Sequence, residues 1–130
     1  MNKAVQFLKD CGTFYLATDD GGQPRVRPFG AVMEYGGRAY ICTSNTKACF
    51  RQMKKNPRVQ IAAAKGNDWI RITAQAIPDP SGEAKRKMLE DIPFLQKLYR
   101  ADDGTFEVLY LKDATATLYP AAGEPETFPL

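Results

Sequence analysis

Tyr40-Ile41-Cys42-Thr43-Ser44-Asn45-Thr46-Lys47 reads as a strand that ends in small hydroxyl and amide residues, with a helix starting at once and a lysine in its first turn. The start of a helix carries unpaired N–H groups and a partial positive charge, so it attracts phosphate. Thr43 and Ser44 hydroxyls and the Lys47 ammonium would strengthen that attraction through charge-assisted hydrogen bonds. A plainer reading stands beside it: Ser44 and Asn45 merely cap the helix, and Lys47 points into water. On the C-terminal side, Cys49, Phe50 and Met53 recur at helical spacing until Asn56-Pro57 stops the helix.

On the N-terminal side, Arg25 to Tyr35 reads as a strand interrupted by Pro28, returning through a Gly36-Gly37 turn into Ala39–Thr43. Pairing through that turn would bring Arg27 toward the helix start, and alternation puts Arg25 and Arg27 on one face. Further out, residues 2–11 form a short amphipathic helix ended by Gly12, and Thr13–Thr18 is a strand turned by Asp19-Asp20-Gly21-Gly22. Beyond the central helix, Arg58–Lys65 and Trp69–Ile77 alternate as strands. Val59, Ile61 and Ala63, then Ile70, Ile72, Ala74 and Ala76, face one way, whereas Trp69, Arg71, Thr73 and Gln75 face the other. Ser81 to Leu98 is charged and helical with a break at Ile92-Pro93. Phe106–Leu111 and Ala114–Tyr119 form a last long strand or a bent pair, and the proline-rich tail from Pro120 is extended. Six or seven mostly antiparallel strands predict a closed or partly closed barrel, since closure removes exposed sheet edges.

Composition narrows the function. The 130 residues contain no histidine, which excludes a Ser-His-Asp triad, a Cys-His pair and any His-ligated zinc or haem. Three cysteines, Cys11, Cys42 and Cys49, make no disulfide framework and suit a reducing compartment. No apolar run approaches a membrane span, and the N-terminus lacks the apolar core of a signal peptide. These features predict one soluble, cytoplasmic domain spanning residues 1–130. The net charge of +3 hides a basic middle third: Arg25 to Lys65 holds nine Lys/Arg against one acid, Glu34. That imbalance points to an anionic ligand. Nucleic acid fits less well, because the overall charge is low and no reading helix is recognisable. Some of the charges, such as Lys54 and Lys55, belong to a solvated helix face.

Taken in order, Pro24-Arg25-Val26-Arg27-Pro28-Phe29-Gly30, Tyr40 to Lys47, Asn56-Pro57-Arg58-Val59 and Trp69-Ile70-Arg71-Ile72-Thr73 resemble the pyridoxamine 5′-phosphate oxidase-like family of FMN-binding split barrels. The resemblance implies a mainly β fold with flanking helices, a six-stranded split β-barrel. It also implies a homodimer with FMN at the subunit interface. Arg27, Pro28 and Phe29 match the strand that contacts the flavin and its phosphate, with Arg25 the alternative arginine. Cys42, Thr43 and Ser44 match the strand end beside phosphate and ring, and Asn45 and Lys47 match the phosphate-binding loop. Trp69 and Arg71 match a strand approaching the flavin from the partner subunit, and Trp69, Phe29 and Tyr99 are candidates to fill the barrel opening across a two-fold axis.

The chain departs from the true pyridoxamine phosphate oxidases in having no histidine and no basic residue after Lys112, where those enzymes hold the substrate phosphate. It is more similar to the small members grouped with nitroimidazole reductases and general stress proteins. The implied function is an FMN-dependent oxidoreductase that takes electrons from NAD(P)H or a partner and reduces a small molecule. In such an enzyme the flavin carries the redox chemistry and no side chain need act as acid, base or nucleophile. The alternative is a protein that binds FMN or a related cofactor without turnover, as a carrier or electron-transfer module.

Overall fold

The computed structural model describes residues 2–130. Helix α1 (Lys3–Cys11) begins where the Asn2 side chain accepts hydrogen bonds from the N–H groups of Ala4 and Val5, at 2.8 and 3.3 Å. It ends at Gly12, whose φ of 80° is cheap only for glycine. Strands β1 (Phe14–Asp20) and β2 (Gln23–Phe29) form a hairpin, and β3 (Val32–Tyr35) and β4 (Arg38–Ser44) form a second. Helix α2 (Ala48–Lys55) leads into β5 (Arg58–Lys65) and β6 (Asp68–Asp79). Helix α3 (Gly82–Asp91), a 3-10 turn (Pro93–Lys97), β7 (Phe106–Tyr119) and β8 (Glu126–Pro129) complete the chain.

All pairings are antiparallel, and the strand order is β2-β1-β5-β6-β7-β4-β3, with β8 added along β7. This is the expected mainly β split barrel with flanking helices, with β2 and β3 at the two ends of that order and β8 paired on one side only. The strand count is eight rather than six or seven, for two reasons. Arg25–Tyr35 is not one strand: Pro24 and Pro28 lack the N–H needed for pairing on both sides, so the chain leaves the β1 ladder at Phe29 and resumes at Val32 beside β4. The tail is extended as expected, but it also pairs, Thr115 opposite Pro129 through Leu118 opposite Glu126.

The last long strand is continuous. It bends at Asp113 (φ 50°), next to a register shift in β6 between Thr73 and Gln75. Its first half therefore pairs with β4 and the end of β6, and its second half with the start of β6 and with β8.

Two apolar cores result. The larger lies inside the barrel, where Leu16, Ile41, Ile61, Ile70, Ile72 and Leu109 meet Val5 and Leu8 of α1 and Cys49, Phe50 and Met53 of α2. The predicted inward faces of β5 and β6 are the buried ones. The second core lies on the other side of β3, β4 and β7, where Met33, Tyr40, Phe106 and Val108 pack under Met88, Leu89 and Leu95. β4 is thus covered on both faces, which is why Ala39 to Ser44 is a continuous buried run without alternation.

Candidate functional site: a cationic cleft at the start of α2

Three segments meet around a cleft of about 270 Å³: the end of β2 with Gly30 and Ala31, the end of β4 with the start of α2, and the 3-10 turn. Arg27, Thr43 and Lys47 supply its polar lining. Phe29 and Cys42 line it from the strands, and Phe94, Leu98 and Tyr99 form an apolar wall from the turn. One end is therefore cationic and the other is suited to a flat apolar group.

The route by which Arg27 arrives differs from the sequence expectation. β2 pairs with β1 and makes no ladder with β4; only Val32–Tyr35 pairs with β4. Arg27 instead stands opposite Leu16 on the inward side of the edge strand. From there its Nη1 donates to the Thr18 hydroxyl (2.8 Å) and the Leu16 carbonyl (3.1 Å), and its Nη2 to Gln52 Oε1 on α2 (3.0 Å). Arg25 shares the inward side but turns to the hairpin end, where its Nε lies 3.1 Å from an Asp20 carboxylate oxygen. Arg27 and Lys47 both line the cleft, and among the described residues neither makes an ion pair within 4.0 Å.

The capping assignment of Ser44 and Asn45 needs correction. α2 starts at Ala48, its N-cap position is Lys47, and no side chain caps it. The Ser44 hydroxyl bonds that of Thr46 at 2.7 Å and is buried away from the cleft lining. The Asn45 amide donates to the Gly104 carbonyl and to Glu107, both at 2.9 Å, and so ties the end of β4 to the loop before β7. In that loop the Asp103 carboxylate accepts the N–H groups of Arg100, Thr105 and Phe106, which hold its pKa down at about 2. An uncapped helix start beside Lys47 leaves N–H donors for a ligand anion.

Trp69 and Arg71 do not enter the cleft of their own chain. They stand on the outer face of β6, where Trp69 stacks on Tyr119 with ring centroids 4.3 Å apart and the Arg71 guanidinium lies 5.1 Å from the Trp69 ring. A larger groove of about 420 Å³ on the outer sheet face, lined in part by Asp19, Arg58, Gln60 and Asp113, gathers none of the predicted site residues. Its carboxylates make it a poor anion site.

Sequence reading did not assign the 3-10 turn to the site. The available signal was Ile92-Pro93 followed by Phe94 and Leu98, large apolar residues that remain 63% and 61% exposed. It also missed Thr18 and Gln52, which act on Arg27 from β1 and α2.

Burial pushes the Cys42 thiol up to about 12, so it is protonated at neutral pH and is no nucleophile. Cys49 is buried as well, its sulfur 3.5 Å from the Thr43 hydroxyl. Iodoacetamide treatment of the folded protein at pH 8 should modify Cys11 alone, as read by peptide mass mapping. Alkylated Cys42 in the native protein would contradict the protonated, buried thiol.

The matched family model is pyridoxamine 5′-phosphate oxidase, over residues 1–115. Among solved structures, the chain is similar to a NimC/NimA family protein from Clostridium acetobutylicum, with 50% identity and a TM-score of 0.96, covering 98% of this chain and 90% of that one. General stress protein 26 from Bacillus anthracis shares the fold at 18% identity and a TM-score of 0.77, covering 97% and 95%. A heme binding protein from Mycobacterium smegmatis shares it at 17% identity and a TM-score of 0.70, covering 99% of this chain but 59% of that one. No curated protein matches. Among the described residues no helix is long and apolar enough to cross a membrane. With its split-barrel order, a cleft lined by Arg27 and Lys47 and a family match over most of its length, the chain belongs to the pyridoxamine 5′-phosphate oxidase family.

Proposed function

We propose that the cleft holds the phosphate end of FMN and that the chain is an FMN-dependent oxidoreductase reducing a small molecule with electrons from NAD(P)H or a protein partner. The observation that carries this reading is that Arg27 and Lys47, neither paired with a carboxylate, line one cleft, with Lys47 at an uncapped helix start. Arg27, Thr43 and Lys47 would bind the phosphate, and Phe29, Tyr99 and the apolar wall would lie toward the ring. FMN, when bound, supplies the redox chemistry. The chain's own residues bind, orient and exclude water. No carboxylate or histidine lines the cleft, and Cys42 keeps its proton, so none of these groups is poised as acid or base.

The cleft of one chain is small. Its roughly 270 Å³ falls just under the ~300–1,000 Å³ of small-molecule sites. A second copy would complete it. The outer sheet face carries Tyr15 and Val26, 50% and 68% exposed, with Ala62, Trp69 and Arg71 on the same face, which supports a homodimer in which Trp69 and Arg71 approach the partner's flavin. Three free cysteines fit a single cytoplasmic domain. Haem, bound by the mycobacterial neighbour, is disfavoured by the missing histidine.

The test is the absorbance spectrum of the purified protein, followed by anaerobic NAD(P)H. Stoichiometric flavin, released as FMN on denaturation and bleached with turnover by a small oxidant, is expected. A yellow protein that no donor bleaches would make it a carrier or electron-transfer module; a protein that takes up no FMN would overturn the reading.

A further inference from the structure

Resting on the flavin reading above, we propose that Gln52 is a positioning residue for Arg27, whose neutrality keeps the guanidinium charge available and so lets the site distinguish phosphorylated from unphosphorylated ligands. Gln52 Oε1 accepts from Arg27 Nη2 at 3.0 Å and from the Thr18 hydroxyl at 2.6 Å, and Thr18 Oγ1 itself accepts from Arg27 Nη1 at 2.8 Å. The three side chains close a triangle that joins β2, β1 and α2. Backbone carbonyls of Leu16 and Arg25 complete the set, at 3.1 and 3.4 Å.

Every one of these acceptors is uncharged. The nearby acids are engaged elsewhere: Asp19 accepts from the Gly22 N–H and the Asn56 amide, and Asp20 from Arg25. Arg27 is thus oriented by three neutral oxygen acceptors and one long carbonyl contact without being neutralised. Of its five N–H donors, the Nε–H and one Nη2 hydrogen remain for a ligand. A carboxylate in place of the Gln52 amide would have nearly the same shape and would sit 3.0 Å from the guanidinium. It would form an ion pair and cancel the charge the phosphate needs.

Gln52→Glu therefore isolates charge from shape, and Gln52→Met removes the acceptor without adding charge. FMN and riboflavin are titrated into flavin-free protein and followed by flavin fluorescence. Gln52→Glu is expected to weaken FMN at least tenfold while riboflavin stays within twofold. Gln52→Met is expected to cost FMN three- to fivefold, through lost orientation alone. FMN affinity within twofold of wild type in Gln52→Glu would overturn the proposal, and so would equal losses of FMN and riboflavin, which mark a purely structural role. Should Gln52→Glu fail to fold, Gln52→Met and Thr18→Val decide: both must lower the FMN-to-riboflavin affinity ratio, and an unchanged ratio overturns the proposal. A second arm uses inorganic pyrophosphate, which is expected to raise the melting temperature of wild type and not of Gln52→Glu. A wild type with no preference for FMN over riboflavin would sink the flavin reading, while the pyrophosphate arm would still decide the role of Gln52.

Discussion

Replacing Arg27 or Lys47 by alanine is expected to weaken FMN by about 1.5–3 kcal/mol each, the range for hydrogen bonds to charged groups. That is roughly a ten- to hundredfold loss of affinity. Riboflavin, which lacks the phosphate, should bind each variant as it binds wild type. The two residues reach the cleft from different elements, Arg27 from the edge strand β2 and Lys47 from the N-cap of α2, so their losses report one ligand group rather than one local distortion. Arg27→Ala unties β2 from the triangle it forms with Thr18 and Gln52 but leaves the Thr18–Gln52 bond at 2.6 Å joining β1 to α2. Titration of both flavins against both variants is the measurement. Parallel loss of FMN and riboflavin would mean that the cations hold the fold rather than a phosphate.

The fold class was legible because strand alternation and turn glycines are local signals. Ile70, Ile72, Ala74 and Ala76 are buried as their spacing required, and Gly36-Gly37 makes the β3–β4 turn with φ of 60° and 76°. The path of the chain between Pro28 and Val32 was not legible. A proline in an apparent strand marks either a bulge or an edge, and the choice depends on which distant strand competes for pairing. β1, not β4, takes Arg27, and only a long-range register of this kind places the arginine beside Gln52.

The candidate site divides along the same line. Arg27 and Lys47 were readable as cations near a helix start. Ser44 and Asn45 were readable as polar residues in the right place, yet their partners, Thr46 and the loop around Gly104, lie at positions no helix pattern specifies. The wall from Phe94 to Tyr99 carried no periodic signal, because a 3-10 turn of five residues is too short to show one.

That wall depends on one buried ring, and Phe106→Ala is expected to cost about 3–5 kcal/mol of stability. Phe106 is fully buried at the first position of β7, opposite Ser44, and its ring lies 4.8 Å from that of Tyr99. Its backbone N–H is already fixed by Asp103 at 2.8 Å, so the strand start cannot slide to fill the space left by the ring. A cavity should remain behind the 3-10 turn, and the melting temperature should fall by roughly 10–20 °C for a chain of this size. Phe94→Ala supplies the contrast. Its ring is 63% exposed, so its removal should shift stability by no more than about 0.5 kcal/mol. Denaturant titration of the two variants with the wild type separates the two environments, and Phe106→Leu should fall between them because it fills part of the cavity. Equal, small losses for Phe106→Ala and Phe94→Ala would show that the second core does not support the cleft wall.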